Sequence, residues 1–410
     1  MSIRRRTAWI LWLLASFFYA YQYILRVMPN IMLDDIIEQF EMGGAAIGQF
    51  SGIYYIGYAL FHLPVGMMLD RFGPKKIMTG CILLTVAGLM PLIFSDYWIF
   101  PIAGRALVGI GSSAAILGLF KIVRISFSAE QFSRMLSLAV TIGLIGAIYG
   151  GGPVSYMKDL FGFQGVVQIL AIGGVLLAAV TYLLIPEMKI NAQSSAATNL
   201  KEVLGNSKVL LTCLFAGLMV GPLEGFADVW GRAFLRDVYG LDGTLAATLP
   251  SSIFIGMCFG APILSFIAEK TKNQAATMIG SGLVMIMSFS SLLIWQLSTS
   301  TITFHFILVG ICCGYQILAI CKVSSYVPEE AAGLATATAN MIIMTFGYIF
   351  HATMGGVINA MGGPASPQAL VYGISVIPAG LLLGTLGFAF MFVKERLEEK
   401  EELANIECKV

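Results

Sequence analysis

"LVGIGSSAAILGLFK" at 107–121 and "LVGICCGYQILAICK" at 308–322 align without a gap at an offset of 201 residues. They open on four identities and close on a lysine at the same place, Lys121 and Lys322. Self-similarity of this kind predicts one structural unit used twice. Between the copies lies a single long polar connector rich in small residues, "PEMKINAQSSAATNLKEVLGNSK" (186–208). The chain therefore reads as two halves, 1–186 and 208–393, with a linker at 187–207 and a tail at 394–410.

Composition says where such a chain resides. Of its 410 residues 58% are hydrophobic and 11% charged, and the mean hydropathy is +0.84. Soluble domains carry about 25% charged residues, so this surface is built for a bilayer. A net charge of +1 argues against a nucleic-acid partner. The seven cysteines form no C-x-x-C pair and lie almost wholly in apolar runs, which predicts packed thiols with no disulfide framework and no metal site. The basic start "MSIRRRTAWILWLL" leads into an apolar run too long for a cleaved leader, so it reads as a retained first span.

Crossing about 30 Å of hydrocarbon takes about 20 apolar residues. Twelve segments qualify, near 8–33, 45–69, 76–95, 98–124, 133–157, 163–185, 208–235, 245–268, 275–296, 302–327, 333–359 and 370–393. Their backbone groups must bond within each segment, so all are helices. The expected fold is an all-α membrane protein with twelve transmembrane helices in two pseudo-symmetric six-helix bundles. With the N-terminus cytoplasmic, the cytoplasmic segments hold seventeen of the lysines and arginines outside the spans and the other side three, Lys158, Arg232 and Arg236. That bias places both termini in the cytoplasm.

Polar residues inside the spans are the candidates for a site. In "FFYAYQYILRVMPNIM" (17–32), Tyr19, Gln22, Tyr23, Arg26 and Asn30 fall on one helical face. An arginine within the membrane costs between about 2.5 and 17 kcal/mol and is by default a functional candidate. Either Arg26 lines a solute cavity, as its aromatic and hydrogen-bonding face favours, or it snorkels to the outer headgroups. Pro29 frees a backbone carbonyl and can bend the helix. Glu224 and Asp228 are the acids well inside a span, four residues apart on helix 7; by the repeat offset Glu224 falls at Tyr23, within a turn of Arg26. They can bind a proton or act as counter-charges, or pair with Arg232 or Arg236 at the outer rim. Ser51, Tyr55, Tyr58 and His62 form a stripe on helix 2, with His62 able to titrate near neutral pH. Asn340, Gly347 and His351 share a face of helix 11, and Lys121 and Lys322 sit at the cytoplasmic ends of helices 4 and 10.

"GMMLDRFGPKK" (66–76) resembles the helix 2–3 loop signature of the major facilitator superfamily, with Gly66, Asp70, Arg71, Gly73, Pro74, Lys75 and Lys76 at its positions. Glycine suits close helix contact there, Asp70 can pair with a basic or helix-end partner, and Gly73-Pro74 turns the chain. "GRALVGIGSSA" (104–114) resembles the fourth-helix signature R-x-x-x-G-x-G. "GLIGAIYGGGPVSY" (143–156) keeps Gly152-Pro153 but lacks the further glycines of drug antiporters. Arg26 and Arg105 stand where the anion:cation symporter branch has two arginines that hold a substrate carboxylate. That branch often carries an acid seven residues after the second arginine; here Ser112 occupies the position, so its proton scheme does not transfer intact.

The resemblance implies a secondary transporter working by alternating access. A non-enzymatic, cofactor-free monomer is expected, one that carries a small carboxylate-bearing solute (organic acid, sugar acid, amino acid or short peptide) with a proton or other coupling ion. Arg26, Arg105, Tyr19, Gln22, Tyr23, Asn30, Tyr55, Tyr58 and Asn340 are the expected substrate-binding residues, and Glu224, Asp228 and His62 the proton-coupling ones. A proton-driven exporter or drug antiporter on the same fold is the alternative. The chain holds no G-x-x-x-x-G-K-[ST] loop for ATP, and the lack of any N-x-[ST] sequon favours a bacterial inner membrane.

Overall fold

The computed structural model describes residues 5–187 and 203–407, with the side chains of a few further positions, Asp70 among them, left undescribed. Two sets of six helical segments follow each other. The first half contains α1 (Arg5–Phe40), α2 (Gly44–Phe72), α3 (Pro74–Phe94), α4 (Ile99–Ser126), α5 (Ala129–Tyr149) and α6 (Gly152–Leu184). The second contains α7 (Ser207–Asp237), α8 (Gly243–Thr271), α9 (Gln274–Ile294), α10 (Thr299–Ser325), α11 (Glu329–Ala360) and α12 (Pro367–Glu407). Among the described residues eleven of these are long and apolar enough to cross a membrane; α5 contributes the shorter apolar helix Arg134–Tyr149. Most of the expected linker, 188–202, lies outside the described residues.

Helix ends follow local chemistry. Gly73 takes φ 81°, ψ 165°, a conformation closed to side chains with a Cβ, and its N–H bonds to the Leu69 carbonyl. Pro74 then opens α3, where its missing N–H costs nothing. The expected gap between spans 133–157 and 163–185 falls at Gly162 (φ 71°, ψ 171°), inside α6. A second break, at Gly150-Gly151, separates α5 from the start of α6 and falls inside the span expected at 133–157. α1 runs to Phe40, beyond its expected end at 33, because the acids of that extension find partners: Asp34 pairs with Arg232 and Arg236, and Asp35 with Lys158.

Glycines let the helices touch backbone to backbone. Gly57 lies against the Ala106 carbonyl and Gly109 against that of Tyr54, joining α2 to α4; Gly111 meets the Cys81 carbonyl of α3. In the second half Gly256 lies against Ile307, the repeat equivalent of Ala106, and Gly310, the equivalent of Gly109, against Ile253. The same seam is thus built twice, once per half. Gly66 is different: a Cβ there would meet only Leu117, at an ordinary 3.8 Å, so close contact is not what this glycine provides here. Lys75 lies over the Tyr182 ring, and Lys76 pairs with Glu187 at 3.2 Å. Arg71 is exposed over Phe72, and the Asp70 side chain is outside the described residues.

The halves meet through α1 with α7, α2 with α11, and α5–α6 with α8. The α2–α11 seam is again glycine-lined, with Gly44 against Gly355 and Gly48 against the His351 carbonyl. These contacts lie on the side away from the termini, where Gly151 also meets Ser251 and Gly152 meets Thr248.

Gly109→Ala should lower stability by about 1–3 kcal/mol, the usual cost of forcing atoms into a closed seam. Gly280→Ala, where a Cβ meets nothing within 4 Å, should instead be neutral or gain about 0.4–1 kcal/mol from a stiffer unfolded chain. Thermal unfolding of the two purified variants against the parent checks both signs.

Candidate functional site

The polar face of α1 turns inward, toward the other half. Arg26 is 6% exposed and stands opposite Glu224 (1%) and Asp228 (0%) of α7. Its Nε donates to Asp228 Oδ2 at 2.6 Å and its Nη2 to Glu224 Oε2. One guanidinium therefore spans two carboxylates across the interface between the halves. Tyr55 of α2 closes the network: its hydroxyl reaches Glu224 Oε2 at 2.6 Å and also Asp228 Oδ2. The Tyr23 and Tyr55 rings flank the guanidinium with centroids 5.2 and 5.3 Å away, close enough for cation–π attraction. One oxygen of each acid, Glu224 Oε1 and Asp228 Oδ1, has no hydrogen-bond partner among the described residues.

Both elements that carry these charges are irregular. Pro29 lies inside α1, three residues past Arg26. In α7 the stretch Gly221–Trp230 winds as a π-helix, with Pro222 in its first turn and both acids on it. Such i→i+5 winding is rare and is frequently found at functional sites. The sequence pattern did not reveal it; Gly221-Pro222 was its one visible sign.

Other expected residues gather around this core. Gln22 accepts from the Tyr54 hydroxyl at 2.7 Å, a partner the sequence reading did not single out. Tyr19 packs edge-on against Tyr23, and Tyr58 stacks near Tyr54. Tyr19, Tyr58 and Asn340 are half-buried, on the side of the cluster nearer the termini. Asn30 bonds to the backbone of α7 instead: its amide donates to Ala227 O at 3.5 Å and its carbonyl accepts from Arg232 N at 3.0 Å. His62 is buried two turns from Tyr55, against Tyr58, and joins none of the carboxylates. His351 sits beside Tyr55 on α11, with both ring nitrogens lacking a partner among the described residues.

Arg105 is buried, but it does not stand free beside Arg26. Nη1 donates to the Leu25 carbonyl at 2.5 Å and Nη2 to that of Arg26 at 2.7 Å. Nor do Arg232 and Arg236 pair with Glu224 or Asp228: both bond to Asp34 at the rim, and Arg236 also to its neighbour Asp237. Lys322 pairs with Glu395 at 2.7 Å. Among the described residues no three His, Cys, Asp or Glu side chains gather as a metal-ligand set.

Comparison with known proteins gives this geometry its context. The family model of the Major Facilitator Superfamily matches residues 11–352. The uncharacterized transporter YybO of Bacillus subtilis (strain 168) is 23% identical over 94% of this chain and 94% of its own length. NicT of Pseudomonas putida is 24% identical over 45% of this chain; the chain spans only 44% of that relative. Among solved structures, the nucleoside transporter NupG superposes with a TM-score of 0.76 at 16% identity, over 93% of this chain and 100% of its own. At that identity the likeness speaks for the fold alone.

Arg26→Ala would leave two carboxylates buried without a counter-charge, a loss of about 3–5 kcal/mol. Replacing all three charges at once, as Arg26→Met with Glu224→Gln and Asp228→Asn, should recover most of that loss. Unfolding temperatures of the single and triple variants measure the difference.

Proposed function

This chain belongs to the Major Facilitator Superfamily and is a multi-pass membrane transporter; on that premise we propose that it carries a small carboxylate-bearing solute together with a proton. The observation behind this reading is the Arg26 guanidinium of one half, held by Glu224 and Asp228 of the other. A buried arginine cannot be left without a counter-charge cheaply. In the absence of cargo, the two acids take the place a solute carboxylate would have.

Exchange of partners then couples the two species. A proton arriving on Glu224 or Asp228 removes one negative charge and weakens its hold on Arg26. A solute carboxylate can take up the vacated edge, since the planar fork of arginine suits bidentate binding. Proton and anion arriving together leave the net charge around Arg26 as it was, whereas either one alone changes it by a full unit. Tyr55 supports this step: its single hydroxyl proton faces one oxygen of each acid, an arrangement best satisfied when one acid carries a proton of its own. An amine on the solute could pair with the remaining acid, so amino acids and short peptides fit as well as simple organic or sugar acids. Tyr19, Tyr23, Tyr54 and Tyr58 supply the walls.

In our reading the terminal side faces the cytoplasm, as the lysine and arginine bias argues. The contacts sealing the opposite side then make this an inward-facing state in a bacterial inner membrane. Rocking of the halves about Arg26 would alternate the openings. Both walls of the site come from one chain, so a monomer suffices.

A thermal-shift screen of the purified protein against organic acids, amino acids, dipeptides and nucleosides tests the reading. A ligand at about one hundred times its dissociation constant adds about 2.7 kcal/mol of stability. Carboxylate-bearing compounds should give the hits. Arg26→Ala should abolish them, while Lys158→Ala, at the far rim, should keep them. Undiminished affinity in Arg26→Ala, or hits confined to compounds without a carboxylate, would sink the proposal.

A further inference from the structure

Among the described residues the Arg105 guanidinium hydrogen-bonds to backbone alone. It is 4% exposed, and among the described residues it makes no ion pair. Two aromatic rings lie beside it, with the Tyr54 centroid at 4.7 Å and that of Phe50 at 5.8 Å. A buried cation in that setting needs a reason, and the two carbonyls it touches supply one.

In a regular α-helix the Leu25 carbonyl accepts from the N–H four residues on. That residue is Pro29, which has no N–H, and its ring pushes against the same carbonyl. Leu25 O is therefore the acceptor that proline orphans, and inside a membrane no water replaces the lost donor. Arg105 Nη1 donates to it, and Nη2 bonds the next carbonyl along, that of Arg26. The guanidinium of α4 bridges the break in α1, and one of its two acceptors is the backbone of the residue whose side chain spans the acids of α7.

We infer that Arg105 is a positioning residue: it supplies the hydrogen bond that Pro29 removes from α1, adds a second one to the Arg26 carbonyl, and so fixes the backbone from which Arg26 reaches across to Glu224 and Asp228. Its charge makes both bonds stronger than a neutral donor would. The role needs no solute. It departs from the resemblance-based expectation that Arg105 grips the cargo directly. It takes Arg26 as the anchor of the proposed transport, but its test uses no ligand, so either idea can fail without the other.

The test is a double-mutant cycle. Pro29→Ala returns an N–H to the Leu25 carbonyl from within the helix. If Arg105 stands in for that donor, Arg105→Ala should lower the unfolding temperature by several degrees in the parent and clearly less in the Pro29→Ala background. Equal losses in both backgrounds would overturn the inference. Should Arg105→Ala not fold, Arg105→Gln keeps one amide donor, and the same comparison applies to it.

A second readout separates positioning from mere stability. With the native cysteines replaced, the pair Asn30→Cys and Ala227→Cys reports how α1 sits against α7, because the Asn30 side chain touches the Ala227 carbonyl. Thiol cross-linking between them should fall severalfold with Arg105→Ala and recover when Pro29→Ala is added. Cross-linking unchanged by Arg105→Ala would leave Arg105 without a positioning role and overturn the proposal.

Discussion

Everything in this molecule is arranged around one cation that cannot be left alone. Arg26 sits where water is scarce, and removing its partners would strand a charge at a cost of several kcal/mol. The fold answers by bringing a second helix, from the other half of the chain, to meet it with two carboxylates. Because those partners lie across the boundary between the halves, the ion pair becomes, in the cycle proposed above, a bond between moving parts. Any change in its charge balance changes how firmly the halves are held together. In that sense the electrostatics of one side chain and the large-scale motion of the protein are the same problem.

The same residue type lines the seams within each half and the seam between them. Within each half, glycines bring α2 onto α4 and α8 onto α10 so closely that carbonyl oxygens fill the space a Cβ would need. Between the halves, α2 and α11 also meet through glycine, but few polar links cross that seam; Tyr348 to Gln49 is one of them. A seam of close contact with little hydrogen bonding can part and reform without leaving many buried donors unsatisfied. The stronger polar ties between the halves lie at Arg26 and at the far rim, where Asp34 receives Arg232 and Arg236.

Much of this could be read before any coordinates. Twelve apolar segments, the repeat at an offset of 201, and the Gly73-Pro74 turn are local signals, and local signals survive in sequence. Arg26, Glu224 and Asp228 also stood out, since charge in an apolar run is rare enough to notice. Their pairing was suggested by the repeat, which set Glu224 opposite the Arg26 turn. What stayed hidden depends on winding and on partners far along the chain. The π-helical turns of α7 alter hydrogen bonding without altering hydrophobic pattern. Asp34 lies just past the expected end of the first span, and nothing local marks it as the group that holds Arg232 and Arg236. Arg105 was visible as a buried charge, but its partners are carbonyls, which every residue has and no sequence marks.

The breaks in α1 and α7 belong together. A regular helix in a bilayer satisfies its own backbone and offers a solute only side chains. Pro29 on one wall and the π-helical turn containing Pro222 on the other each loosen that self-sufficiency, and they do so at the same depth, flanking the same ion pair. Repeat-built transporters commonly interrupt helices where the cargo binds near the midplane. Here the two walls resolve the loosened backbone differently. On α1 a neighbouring arginine takes up the freed carbonyl, which holds that wall firm. On α7 the chain rewinds through i→i+5 hydrogen bonds, a rare winding found mostly as single turns inside ordinary helices. A firm wall bearing the cation and a more adaptable wall bearing the acids is the division of labour expected if the acids give way when a solute arrives, while the arginine keeps its place.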